Sequence, residues 1–219
     1  MDAAPPFEVR HQLEGWTLFW AEVELVGPPA AAATAALREA AAASLRSRVA
    51  SRQLTEVPAV GELRKLFRAA GTDPTRYRPA SEALARRLLK GDAMPAIHPL
   101  VDLNNCLSMA LLAPCCVMRE GSFEPPFVWR AGLPGESYPS LRGGDFGLEG
   151  RPLLVDALGP ADTPITGTTR VGIESGTRRA TLVSYLPAGV VDPADADGAI
   201  RELAAGIRVQ VIWTGQTRS

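Results

Sequence analysis

The sequence predicts an α+β protein, on three observations. Its first half, to about residue 112, holds long segments rich in Ala, Leu and Arg with apolar residues at helical spacing. The second half alternates short apolar runs with turns marked by Gly and Pro, as strands do. No internal repeat or low-complexity tail interrupts this division, and helices followed by strands point to α+β.

In chain order, Trp16 to Val26 reads as a half-buried strand because Ala21, Val23 and Leu25 alternate with Glu22 and Glu24. Gly27-Pro28-Pro29 ends it, and Ala30 to Arg52 follows as a long helix with its arginines on the solvent side. Gly61 to Ala70 forms a second helix, with Leu63, Leu66 and Phe67 on one face and Gly71 as its stop. Pro79 suits a first helical position and Glu82 the positive helix N-terminus, so a third helix runs from Pro79 to Lys90. After the connector Asp92 to Pro95, an apolar helix spans about Asp102 to Leu112. Strands follow at Cys116 to Arg119, Phe127 to Arg130, Leu153 to Ala157 and Arg179 to Leu186. A helix from Asp192 to about Gly206, acidic at its start, and a strand from Val209 to Trp213 close the chain.

A chain of 219 residues can bury a sizeable core without disulfides or metals. Its most apolar stretch, Cys106 to Met118, contains Ser108 and Pro114 and falls short of the ~20 residues that span a bilayer, so no membrane partner is expected. Met1 to Pro6 lacks a basic segment followed by an apolar one, which predicts no secretory signal. Three cysteines, an odd count, suit a reducing cytoplasm. The net charge of −1 argues against a uniformly basic nucleic-acid surface. Yet from Arg38 to Lys90 ten Arg and two Lys stand against five acids, +7, which leaves −8 for the remainder. Such asymmetry either steers a polyanion to one face or marks the solvated sides of three helices.

Two histidines, His11 and His98, without a CxxC give no zinc framework, and no P-loop or dinucleotide glycine motif is present, so neither metal nor cofactor is expected. Gly143-Gly144 and Gly167-Thr168-Thr169 are the glycine-bearing loops able to present N–H groups to an anion. His98, extended before Pro99, is either a hydrogen-bonded structural residue or a base. Asp102, Asn104 and Asn105 crowd the first turn of the apolar helix. Capping accounts for one, and a buried polar network or a ligand contact for the others.

The segment Gly71-Thr72-Asp73-Pro74-Thr75-Arg76-Tyr77-Arg78-Pro79-Ala80-Ser81-Glu82-Ala83-Leu84 continues through Arg86-Arg87-Leu88-Leu89-Lys90-Gly91, Pro95 and His98-Pro99-Leu100-Val101-Asp102-Leu103-Asn104-Asn105. It resembles the signature of freestanding proteins related to the B3/B4 domain of the bacterial phenylalanyl-tRNA synthetase β chain, closely from Gly71 to Asn105 and more weakly from Trp16 to Tyr185. The resemblance implies a single B3/B4-like domain over residues 1–219, with a soft subdivision near 92–96. Its implied fold is a three-layer, α/β/α-like arrangement with mixed and antiparallel sheets and flanking helices.

In the synthetase that domain hydrolyses tyrosine wrongly attached to the phenylalanine tRNA. Its pocket loop reads approximately G-G-E, with a threonine eight residues later that enters a strand. Here Gly167 matches, Thr168 replaces the second glycine, Thr169 replaces the carboxylate, and Thr177 keeps the spacing. His98 stands where the family usually has asparagine, and residues 162–170 lack the W-N-W-R-D stretch common in the freestanding relatives. With the carboxylate replaced, tyrosine specificity does not carry over.

The resemblance therefore implies a tRNA-associated protein that hydrolyses misacylated aminoacyl-tRNA in trans, with DNA not expected as a partner and no ligase activity alone. His98, Asn105 and Thr169 are its candidate catalytic residues, and Gly167, Thr168 and Thr177 line the candidate pocket. Arg76, Arg78, Arg86 and Arg87 are candidate RNA contacts. Two other classes stay open: a noncatalytic RNA-binding module, and a pocket protein for a free amino acid on the same fold. The oligomeric state is left open.

Overall fold

The structure, a computed structural model, describes residues 4–28, 31–50 and 52–218. Met1 to Ala3, Pro29, Ala30, Ser51 and Ser219 lie outside the described residues, and with them the expected start of the first helix and half of the segment read for a signal.

Strands β1 (Val9–His11) and β2 (Trp16–Leu25) precede helix α1 (Ala31–Val49), a 3-10 turn (Leu54–Glu56), α2 (Pro58–Ala69), α3 (Ala80–Leu89) and α4 (Pro99–Leu111). Then come β3 (Cys115–Arg119), β4 (Phe127–Ala131), β5 (Ser137–Pro139), β6 (Asp145–Gly147), β7 (Pro152–Asp156), β8 (Gly159–Asp162) and β9 (Arg179–Pro187). Helix α5 (Pro193–Ala205) and strand β10 (Val209–Arg218) follow. The fold is α+β. One sheet is antiparallel in the order β10-β2-β9-β3, the other is mixed in the order β1-β4-β7-β8 with β1 parallel to β4, and β5 and β6 form a hairpin.

Register sorts the two faces of the antiparallel sheet. Leu18 pairs with Tyr185, Trp20 with Val183, and Val183 in turn with Cys116, so Trp20, Tyr185 and Cys116 project to one side. There Trp20 meets Phe127 at 5.1 Å and Tyr185 stacks on Trp129 at 4.9 Å, which seats the mixed sheet against that side. The opposite side carries Cys115 and Ser184 toward α4, where Asn104 Nδ2 donates to the Cys115 carbonyl at 3.1 Å. Helices, antiparallel sheet and mixed sheet thus stack in that order, and one apolar cluster from Trp16 to Val209 runs through all three.

Several elements differ from expectation for reasons that lie in packing. β2 is buried on both sides from Trp16 to Ala21 and alternates only beyond it, because the sheet is covered on both faces. α2 starts three residues early, with Pro58 in its first turn. β10 extends to Arg218 because it pairs along β2 as far as Thr17. β1, β5, β6 and β8 have three or four residues each, too few for a period to register in sequence.

Arg46 and Arg48 of α1 are exposed, as expected, and Arg38 is half-buried, but all three also bond to neighbouring helices. Arg38 pairs with Asp102 at 2.5 Å, Arg46 Nε donates to the Leu88 carbonyl at 3.2 Å, and Arg48 donates to the Ala110 carbonyl at 2.6 Å and to that of Met109. These bonds fix α1 to α3 and α4. The long guanidinium arm reaches carbonyls near a neighbouring helix's C-terminus.

Candidate functional site

The four candidate RNA-contacting arginines divide into two pairs. Glu82 is fully buried on α3 and receives both Arg64 at 3.0 Å and Arg86 at 2.9 Å, while Arg87 lies 3.4 Å from Asp92. Arg76 and Arg78 make no ion pair among the described residues and are exposed. They stand in the turn that the Asp73 carboxylate organises by accepting from the Thr75 N–H at 2.8 Å, and Arg76 lies 5.2 Å over the ring of Tyr77.

Arg76 and Arg78 border a cavity of about 350 Å³, whose other wall is built by Ser140, Arg142, Gly143, Asp145, Phe146, Ile165 and Thr166. The third guanidinium, Arg142, is aimed by a 3.2 Å bond to the Ile165 carbonyl. Gly143 and Gly144 have φ of 90° and 71°, a reversal that glycine adopts without strain and that folds the β5–β6 hairpin over the cavity. Ser140 Oγ and Thr166 Oγ lie 3.1 Å apart on its floor, both buried. Arg151 stacks on Tyr77 at 3.9 Å and on Phe146 at 4.9 Å, so these rings are already covered by a cation.

The loop after β8 reaches this cavity on one side and the core on the other. The Pro164 carbonyl accepts from the Ala80 N–H at 2.8 Å, which ties the loop to the first turn of α3. Gly167 pairs with Leu141 through a 2.9 Å backbone bond. Thr168 is buried, with its hydroxyl on the Pro139 carbonyl at 3.1 Å, and the Thr169 N–H donates to the same carbonyl at 3.0 Å. That N–H is therefore not free as an oxyanion donor, and the Thr169 side chain is exposed.

His98 and Thr177 come together elsewhere. His98 caps α4, its Nδ1 accepting from the Leu100 N–H at 3.2 Å, and a backbone hydrogen bond with Thr177 engages the same ring. Burial holds the imidazole below its ordinary pKa, against the pull of Asp102 and of the Thr177 backbone. The Thr177 hydroxyl accepts from the Glu174 N–H at 3.0 Å. No hydrogen bond among the described residues links His98, Asn105 or Thr177 to Gly167, Thr168 or Thr169. The polar trio at the start of α4 resolves likewise: Asp102 takes Arg38 and the Ile97 N–H, Asn104 takes the Cys115 carbonyl, and Asn105 is partly exposed.

Sequence reasoning missed a buried acid. Asp162, at the end of β8, is 1% exposed and accepts from the Tyr185 hydroxyl at 2.7 Å through Oδ2. Burial pushes its carboxyl up to about 7, although the Tyr185 hydroxyl, the Cys116 thiol and the Thr163 N–H favour the charged form. Tyr138 adds its hydroxyl to the Thr163 hydroxyl at 3.2 Å and the Thr166 carbonyl at 2.5 Å. An aspartate before Thr-Pro reads as turn chemistry, and its burial depends on β3 and β9 arriving from elsewhere in the chain. Burial pushes the Cys106 and Cys115 thiols up to about 12, so neither is a thiolate nucleophile.

A family model, the B3/4 domain, matches residues 62–204. Comparison with curated proteins gives no match. Among solved structures, the chain is similar to an N-terminal fragment of the phenylalanyl-tRNA synthetase beta-subunit from Pyrococcus horikoshii, with 12% identity and a TM-score of 0.46. The alignment covers 100% of this chain and 56% of that one, so the chain spans little more than half of that chain's length.

Proposed function

The chain belongs to the B3/4 domain family, and from that premise we propose that it binds the aminoacylated end of tRNA and hydrolyses a misplaced aminoacyl ester in trans. The observation that carries the reading is the cavity in which Arg76, Arg78 and Arg142, free of carboxylate partners among the described residues, converge beside the loop at Ile165 and Thr166. Guanidiniums without carboxylate partners are the groups a phosphate can recruit, and three around one cavity match a nucleic-acid end better than a neutral metabolite. The buried Ser140 and Thr166 hydroxyls on the floor are placed to orient a water toward an ester carbonyl. Water adds to that carbon and the terminal ribose hydroxyl leaves. His98 and Thr177 keep α4 and the start of β9 in place at the far side.

The test is deacylation of a panel of mischarged tRNAs, with tRNA binding measured across salt concentrations. Arg78→Ala should lower kcat/KM at least tenfold and reduce the salt slope of binding by about one, whereas Thr169→Ala stays within about threefold of wild type. Salt-sensitive binding without hydrolysis overturns the catalytic half of the proposal in favour of an RNA-binding module. Absence of tRNA binding at low micromolar protein overturns all of it.

A further inference from the structure

Asp162 is a buried acid without a cation. No basic side chain pairs with it among the described residues, and while Oδ2 accepts from Tyr185, its Oδ1 is buried without a hydrogen-bond partner. Trp129 Nε1 is a second buried polar atom without a partner. Trp129 pairs in register with Leu154 and Leu154 with Asp162, so both orphaned atoms belong to one row on one face of the mixed sheet, with Tyr185 stacked on the indole at 4.9 Å. Buried carboxylates in folded proteins are paired with a cation or neutralised by a proton, because an isolated charge in a medium of low polarity is costly. The same logic appears in the raised pKa of Asp162, which signals that no positive group compensates it.

A route to this acid exists at Gly167. A Cβ built on Gly167 would stand 3.4 Å from Asp162 Oδ1, so the acid lies directly under a loop residue that has no side chain to cover it. Above Gly167 sits Leu141: its Cδ1 would be 2.9 Å from that Cβ, and its Cδ2 lies 3.2 Å from the equivalent position on Gly172. Leu141 is nevertheless 60% exposed, an apolar side chain resting on two glycines with most of its surface in water. It stands between Ser140 and Arg142, both in the cavity wall, and two residues before the Gly143-Gly144 reversal. What covers Gly167 is therefore the side chain of Leu141, not the backbone of either sheet.

We infer that the Asp162 carboxylate receives the primary ammonium of an aminoacyl ligand, reached over Gly167 once Leu141 swings aside, while the ligand's phosphate end stays on Arg76, Arg78 and Arg142. The inference rests on the aminoacyl-tRNA reading for the identity of the ligand. Its chemistry is independent of that reading: an ammonium supplies the missing positive charge and donates to the orphaned Oδ1, and the aromatic rings of Tyr185 and Trp129 exclude water around the pair. A ligand with its amine acylated brings no charge and leaves Oδ1 buried and unpaired, a loss that discriminates strongly.

The test uses stable amide analogues of an aminoacylated terminus, 3′-aminoacylamino-3′-deoxyadenosine 5′-phosphates carrying alanine, serine, phenylalanine or tyrosine, each with its N-acetyl counterpart and measured by calorimetry. For at least one amino acid, N-acetylation should weaken binding to wild type tenfold or more. Asp162→Asn should weaken the free-amine analogue as much and remove the difference between the two forms. Gly167→Ala supplies the second variant: its φ is not in the left-handed region and its methyl group, displacing only the end of the exposed Leu141 side chain, should close the route and weaken both forms, with far-ultraviolet circular dichroism checking the fold. Free amino acids run in parallel separate an aminoacyl ester from a free metabolite as the source of the ammonium. N-acetyl analogues that bind wild type within twofold of the free amines overturn the inference, as does undiminished binding to Asp162→Asn. Deacylation of mischarged tRNA that is indifferent to Asp162→Asn leaves the tRNA reading standing and removes this inference. Ammonium-dependent analogue binding without any deacylation does the reverse.

Discussion

Replacing Asp162 by Asn should flatten the pH dependence of stability and leave the fold intact. A carboxyl whose pKa is higher in the folded chain than in the unfolded one holds its proton more tightly when folded. Its contribution to stability is therefore full below the ordinary value of 3.8 and is lost as the pH rises toward about 7. At about 1.4 kcal/mol for each pH unit in that window, the loss has a ceiling of ~4 kcal/mol, a large part of the stability of a domain this size. Asn has nearly the same shape, can still bond the Tyr185 hydroxyl, and carries no charge at any pH. Urea unfolding of both proteins at pH 4.5, 5.5, 6.5 and 7.5 measures the effect. His11 and His98, held below their ordinary values by burial, act in the opposite direction, since folding favours their neutral forms and gains as the pH rises toward 6.5. They do so equally in both proteins and cancel in the difference. The variant should gain on wild type by several kcal/mol between pH 4.5 and 7.5. Curves that stay parallel over that range refute the assignment of Asp162 as a buried acid without a cation.

Three further outcomes follow from the packing. Arg38→Met leaves Asp102 buried and unpaired, which should cost ~3–5 kcal/mol in urea unfolding, with much of the loss restored by Arg38→Met/Asp102→Leu. Gly132→Ala would place a Cβ 2.0 Å from the Leu148 carbonyl oxygen, and a thermal melt should show a loss above ~4 kcal/mol or no folded protein. His98→Ala removes the cap of α4 and should lower stability by ~1 kcal/mol with an unchanged far-ultraviolet circular dichroism spectrum.

What could be read in the sequence is what local chemistry decides. Gly71 and Gly91 follow α2 and α3 at φ of 92° and 97°, Asp192 caps α5 by accepting from the Ala194 N–H, and Glu82 falls in the first turn of α3. Each of these depends on a residue and its near neighbours. The start of α4 lies earlier than the sequence suggests because the capping atom belongs to a histidine, a residue type outside the usual set of caps, and Asp102 reads as the boundary. Its actual partner, Arg38, lies 64 residues away. The same distance hid the acid under the pocket loop. Asp162 is buried by Tyr185 and Cys116 from strands that pair with each other and not with β8, and nothing within ten residues of it announces that environment.

The excess of twelve basic residues over five acids between Arg38 and Lys90 takes its meaning from this distinction. Counted in sequence, it reads either as a polyanion-steering surface or as the solvated sides of three helices. In the fold, Arg38, Arg46, Arg48 and Arg64 hold helices to one another through carboxylates or carbonyl oxygens, and Lys65, Arg86 and Arg87 face acids of their own. Charges engaged in this way are costly to recruit, because a phosphate must first replace a partner already in place. Arg76 and Arg78 need no such exchange, and they border the same cavity as Arg142, which comes from the acidic remainder of the chain. If this cavity takes an anion, its charge comes from three guanidiniums without carboxylate partners among the described residues, drawn from both halves of the sequence, and the net charge of either half says little about it.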